Sequence, residues 1–509
     1  MLKQTVATVF ALSIAGMLHA ADDEHGSHPV PEKLGSVSFA TSCQATVKPA
    51  FERAVALLHS FAYSASEQAF QSVAAKDPRC AIAYWGMAMS HYHQLWEPPA
   101  GEELRAAAEQ IGKAVEIRAG SLRERQFIDA LATYYGDPEH VAPAARADRY
   151  ANAMAGVARD NAGDAEAQIF YALALLGTAP PTDKTHANQK RAAAILEPLY
   201  RQQPDHPGLA HYLIHATDSA ELASQGFAAA RAYSKIAPSV PHALHMPSHI
   251  FTRLGLWDDS ITSNLAARAA AHDRGDLGEE LHAMDYLMYA YLQRGRYAEA
   301  EQLLVDVRSM TNIRAADFKE GYASTAMPVR FAIERRAWDS ALLLEPRPQS
   351  RPHVAALVYW ARALSRTRGA HPGSADADIA SLEERRRELQ YAGNAYWATQ
   401  VDVLIKEARA WQSNAGGNSE AALQGLRAAA EEEDALEKLP VTPGPVVPAR
   451  EQLGELLLEL KRPDEALKEF QTALASTPRR RGALVGAIAA AERLGNQKIV
   501  TQLRADLAQ

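Results

Sequence analysis

The residues best suited to chemistry are histidines. Two copies of the spacing His-x-x-x-His, His211/His215 and His245/His249, stand 34 residues apart. Four residues is about one helical turn, so each pair projects from a single helix face. Neutral imidazoles placed this way can share a transition-metal ion. Zinc, copper and iron are the natural candidates, nickel is also compatible, and zinc–nitrogen bonds are about 2.0–2.1 Å. Eight of the 18 histidines lie between His206 and His282, where an even spread would put about three.

A spacing of 34 residues is also the length of one helix–turn–helix unit in a stacked array. That ruler extends to neighbouring residues. His242 and His282 both lie 13 positions before a glycine, Gly255 and Gly295, and His245 and Asp285 both lie ten before. Asp218 lies 34 before Thr252. Three consecutive first helices are therefore expected to present His211-His215-Asp218, His242-His245-His249 and His282-Asp285 from equivalent faces. The expected ligand set is His211, His215, His245, His249 and Asp218. His242, His282, Asp285 and Arg253 are expected around it as groove residues or as partners that orient the ligands. Three histidines with one aspartate would leave a coordination position open for water or substrate. Pro247 is expected to kink its helix. The competing reading makes the same imidazoles polar lining that hydrogen-bonds a peptide.

Other chemistries lack a motif. There is no HExxH, and no GxSxG, P-loop or GxGxxG in a strand–helix setting, so protease, hydrolase-elbow, nucleotide and dinucleotide readings have no support. Whether the chain is an enzyme is left open by its sequence. The formal net charge of −8 argues against a nucleic-acid binder, which needs a basic face.

The elements that must carry the histidines read as helices throughout. Segments rich in alanine and leucine, with helical periodicity, are punctuated by Gly, Pro or Asp, and no run alternates like a strand. Near the C-terminus, Leu453-Gly454, Leu457, Ala466, Phe470, Ala473 and Pro478 fall at the positions of a two-helix repeat. Small Gly454, Ala466 and Ala473 let the two helices approach, Leu457 and Phe470 fill the space between, and Pro478 ends the second helix. Tyr291, Gly295, Tyr297 and Ala300 repeat the pattern, as do Gly255 and Trp257 forty residues earlier.

On these residues the chain resembles the tetratricopeptide repeat family from about Phe51 onward. Leu457 departs from it, since the family usually has Tyr there. The run His242-Ala-Leu-His245-Met-Pro-Ser-His249-Ile-Phe251 resembles a motif of exported bacterial members. The resemblance implies an all-α solenoid with first helices lining a concave groove and second helices outside. Stacked repeats create an extended binding surface, so a peptide or protein partner in that groove is the expected function. The alternative is a metalloprotein or metalloenzyme centred on the histidines.

Residues 1–20 read as a secretory signal, with Lys3 before an apolar stretch and Ala20-Ala21 at the cut. The expected location is periplasmic or secreted. No later segment offers the roughly 20 apolar residues of a membrane span. Residues 21–40 read as a linker, 41–438 as a divergent helical array, 439–449 as a Pro-rich connection, and 450–509 as the C-terminal repeat with capping helices. Cys43 and Cys80, the only cysteines, are expected to form a disulfide after export.

Overall fold

Alanine- and leucine-rich segments of this length can bury an apolar stripe only by stacking on one another. The computed structural model, which describes residues 32–370 and 373–508, shows that stacking. Every regular element among the described residues is helical. Lys48–His59 lies against Tyr63–Lys76 and also against Ala81–Ser90, the first helix of the next pair. Leu277–Arg294, Phe318–Glu334, Pro352–Arg368 and Ala395–Ala415 touch in the same first-to-first succession. Contacts between helices of a pair and between successive first helices define an all-α helical solenoid. None of the described helices is long and apolar enough to cross a membrane.

The repeat punctuation has the expected causes. Gly454 and Phe470 pack as the spacing predicts, and a Cβ on Gly454 would sit 2.8 Å from the Phe470 ring. Leu457 and Phe470 are fully buried. Pro463–Ser476 stops just before Pro478. Gly255 and Gly295 both adopt left-handed backbone, the conformation that closes a helix and favours glycine.

The superhelix curls back on itself. Lys48–His59 touches Pro207–Thr217, and Leu277–Arg294 touches Arg481–Arg493. The apolar core has one large section running from Leu34 to Phe251, another from Tyr322 to Leu503, and a smaller one from Trp257 to Met327 between them. The histidine helices lie where the first section meets the middle one.

The part of the 21–40 linker that is described is not free chain. Leu34 and Phe39 are buried, and Phe39 packs on Phe51, Trp85 and Phe127. Lys33 and Ser36 are tied to Ser239 and Asp205. Cys43 and Cys80 lie at disulfide distance, with Cα atoms 4.9 Å apart. The expected signal, residues 1–20, lies outside the described residues.

The Pro-rich connection is ordered against the first-helix wall. Val441 to Gly444 are buried. Prolines bring carbonyls without N–H groups, so side-chain donors must satisfy them. Tyr286 Oη lies within donating distance of the carbonyls of Pro440 (3.1 Å) and Thr442 (3.2 Å). Arg330 Nη1 donates to Gly444 and Pro445, and Arg480 Nη2 to Val446.

Candidate metal centre

Four helices position the histidines. Pro207–Thr217 carries His211 and His215, and Leu277–Arg294 carries His282. Between them, Pro241–His245 and Pro247–Arg253 carry His242, His245 and His249. Pro247 opens the second of these two pieces, and Met246 between them keeps right-handed helical backbone. All three histidines of the segment reach the same cluster.

Six imidazoles converge. His211, His215 and His242 form one group, and His245, His249 and His282 another, with the ligand nitrogens of each group within 4.8 Å of one another. The four rings of the His-x-x-x-His pairs thus meet as the 34-residue period predicts. All six lie in the buried interior.

Hydrogen bonds behind four of the rings fix where their protons sit. His211 Nδ1 donates to the His59 carbonyl at 2.7 Å. His249 Nδ1 donates to Asp218 Oδ2 at 2.9 Å, and His242 Nδ1 to Glu279 Oε2 at 3.3 Å. His245 Nδ1 donates to Asn264 Oδ1 at 2.6 Å. Asn264 can only accept there, because its Nδ2 is committed to the Ser260 carbonyl. In neutral rings with Nδ1 protonated, Nε2 carries a bare lone pair.

His211, His215, His245, His249 and His282 are neutral near pH 7. Burial holds His211, His215, His245 and His282 well below the ordinary imidazole value. Burial also brings His249 down to about 4, against the opposing pull of Asp218. Yet His245 Nε2 and His249 Nε2 face each other at 3.1 Å, as do His211 Nε2 and His215 Nε2. For His245 and His249, both protonated at Nδ1, two lone pairs at that distance repel unless an electrophile lies between them. The Nε2 atoms of His242 and His282 are buried with no hydrogen-bond partner. Donors held from behind, with lone pairs converging in front, are what a transition-metal ion requires.

Asp218 is placed behind the rings, not among their converging nitrogens. Its oxygens take His249, Arg253 Nε at 2.9 Å and Lys438 Nζ at 2.9 Å. Burial alone would raise its carboxyl, but Lys438 and Arg253 more than offset this and hold it well below the usual range. Burial lowers Lys438 to about 8. Asp285 is not brought to the cluster; it pairs with buried Arg330 at 2.9 Å. Arg253 orients Asp218, and His242 and His282 stand among the converging nitrogens.

Several contributors escaped the sequence reading. Glu279 and Tyr286 lie one turn before and after His282, so helical spacing could have flagged them. Tyr286 Oη is 3.5 Å from His249 Nε2, and burial keeps its hydroxyl protonated. Trp96 packs against both His242 and His282. His59, Asn264 and Lys438 come from distant segments, and no local pattern marks them.

A second buried group, His59-Glu166-His206, behaves differently. Glu166 accepts from both Nε2 atoms, at 2.9 and 3.0 Å. Glu166 thereby braces His59, whose carbonyl orients His211. His91, His93 and His272 lie outside the cluster, beside acidic side chains. A cavity of about 470 Å³ adjoins the centre through Arg253 and Lys438, with Tyr322, His353, Tyr396 and Trp397 in its wall.

No protein-family model matches the chain, and no curated protein matches it. Among solved structures, it is similar to a human IFIT1 dimer with m7Gppp-AAAA: 13% identity, TM-score 0.37, covering 84% of this chain and 89% of that one. The human IFIT1 dimer with PPP-AAAA matches at 11% identity and TM-score 0.37, covering 84% and 90%. The TPR domain of P58(IPK) matches at 12% identity and TM-score 0.22, covering 89% and 99%.

Proposed function

We propose that this chain is an exported helical-repeat metalloprotein whose buried histidine cluster holds a transition metal, with zinc, copper or iron as the candidates. The observation that carries this reading is the pair His245 and His249. Both rings have Nδ1 committed to an acceptor, and both present Nε2 at 3.1 Å to the other. A metal ion resolves that repulsion. His211, His215, His242 and His282 add four more nitrogens, and no carboxylate stands among them. Asp218, Glu279, Asn264 and the His59 carbonyl orient the rings and raise their basicity. A three-histidine set leaves a position open for an exogenous ligand, which is the condition for metal-assisted chemistry.

Metal analysis of mature protein purified without chelators tests this directly. Retained zinc, copper or iron in the wild type, reduced in His245→Ala and His249→Ala and unchanged in His93→Ala, is the expected result. Metal-free protein that fails to take up any of the three ions ends the reading.

The peptide- or protein-binding reading keeps one observation in its favour. Residues 440–446 cover part of the first-helix wall, but the 470 Å³ cavity beside Trp397 and Tyr396 leaves room for an apolar side chain or a small ligand. Quenching of tryptophan fluorescence by a candidate ligand, lost in Trp397→Ala, would support it.

A further inference from the structure

We infer that the cluster takes two transition-metal ions, one held by His211, His215 and His242 and the other by His245, His249 and His282. This rests on the metal-binding reading above and goes further by assigning number, grouping and ligand class.

The six nitrogens do not surround one point. They divide into two groups of three, each with its ligand atoms within 4.8 Å of one another. Zinc–imidazole bonds are about 2.0–2.1 Å and structural sites hold four ligands, so a single ion cannot use six imidazoles in this arrangement. Three donors per ion fit, with a position left over.

The two groups are built alike. Each has a pair one helical turn apart with Nε2 atoms at 3.1 Å, His211/His215 and His245/His249. Each is completed by a third histidine whose buried Nε2 lacks any partner, His242 in one and His282 in the other. His242 and His282 also occupy the same place relative to their repeat glycines. The period of the solenoid has therefore copied a whole donor set rather than a single residue.

The groups are also oriented independently. The first is held by the His59 carbonyl and Glu279, through His211 and His242. The second is held by Asn264 and Asp218, through His245 and His249. They are neighbours all the same, since ring centroids are 6.1 Å apart for His215–His249 and for His242–His245. An all-imidazole donor set with no carboxylate selects copper or zinc over magnesium, calcium or manganese.

The test is stoichiometry. Full-length mature protein, stripped with chelator and desalted, is titrated separately with Zn(II) and with Cu(II), and bound metal per chain is measured by mass spectrometry of the metals. Two ions per chain are expected. His242→Ala and His282→Ala are each expected to retain one, and the double variant none. Helical circular dichroism checks that the variants fold, and the wild-type plateau decides the matter even if they do not. A plateau of one ion overturns the two-ion assignment and leaves the metalloprotein reading standing. A plateau of zero overturns both.

Discussion

Lys438 Nζ lies 2.9 Å from Asp218 Oδ2, across 220 positions of sequence. The same oxygen accepts the Nδ1 proton of His249 at 2.9 Å. One carboxylate thus ties the segment entering the Pro-rich connection to an imidazole of the histidine cluster. Asp218→Asn keeps an acceptor but removes the charge that balances Lys438 and Arg253. Loss of such an orienting partner weakens metal binding by about 10–100-fold. Competition titration against a metal-sensitive dye measures this, and unchanged affinity would show that Asp218 serves the fold alone.

Asp285 and Arg330 give the opposite expectation. Both are fully buried, and Arg330 also holds the carbonyls of Gly444 and Pro445. Asp285→Ala leaves a buried guanidinium without its counter-charge, a change that costs about 3–5 kcal/mol. Chemical denaturation should show that loss. Metal content of the folded fraction should stay at the wild-type level, because Asp285 faces Arg330 rather than the cluster.

His353 provides a pH test away from the histidine cluster. Burial lowers it to about 3, its ring stacks on Trp397 with centroids 4.0 Å apart, and its Nε2 has no partner. The unfolded chain takes a proton at this residue near pH 6.5 while the folded chain refuses it until about 3. The stability from keeping His353 neutral is therefore present above pH 6.5 and is lost as pH falls toward 3. His353→Phe retains the stack and cannot titrate. The difference in unfolding free energy between variant and wild type should be flat at pH 7 to 8 and move in favour of the variant below 6.5. A difference independent of pH between 7.5 and 4.5 would contradict the assignment.

Gly208 controls how closely Pro207–Thr217 approaches His59. A Cβ there would lie 2.6 Å from His59 Nδ1. Gly208→Ala must push the helix away and stretch the bond from His211 Nδ1 to the His59 carbonyl. Overpacking of this kind costs about 1–3 kcal/mol. A lower melting temperature together with weaker metal retention is the expected pair of results. Weaker retention at an unchanged melting temperature would point to a purely local effect on His211.

The helical repeats and the histidine stripes could be read from the sequence because both depend on short spacings. A 3.6-residue turn puts His211 with His215 and His245 with His249. A 34-residue period brings the two pairs to equivalent places on stacked helices. Gly454 against Phe470 and the stop at Pro478 follow from the same local geometry. Identical spacing does not guarantee an identical partner, however. Asp285 holds the repeat position of His245, yet a neighbouring Arg330 draws it away, because a buried carboxylate is stabilised by a buried cation more than by neutral imidazoles.

What only the tertiary structure decided lies in contacts that no period connects. Asp218 stands behind His249 because Arg253 and Lys438 converge on it from other segments. His242 and His282 enter the cluster because Pro241–His245 packs against Leu277–Arg294, the next first helix. The Pro-rich connection settles on the wall because Tyr286, Arg330 and Arg480, far apart in sequence, supply the donors its prolines cannot. Local periodicity sets which face of a helix a residue occupies. Which partner meets it there is set by long-range packing, where buried charges and lone pairs must each find a counterpart.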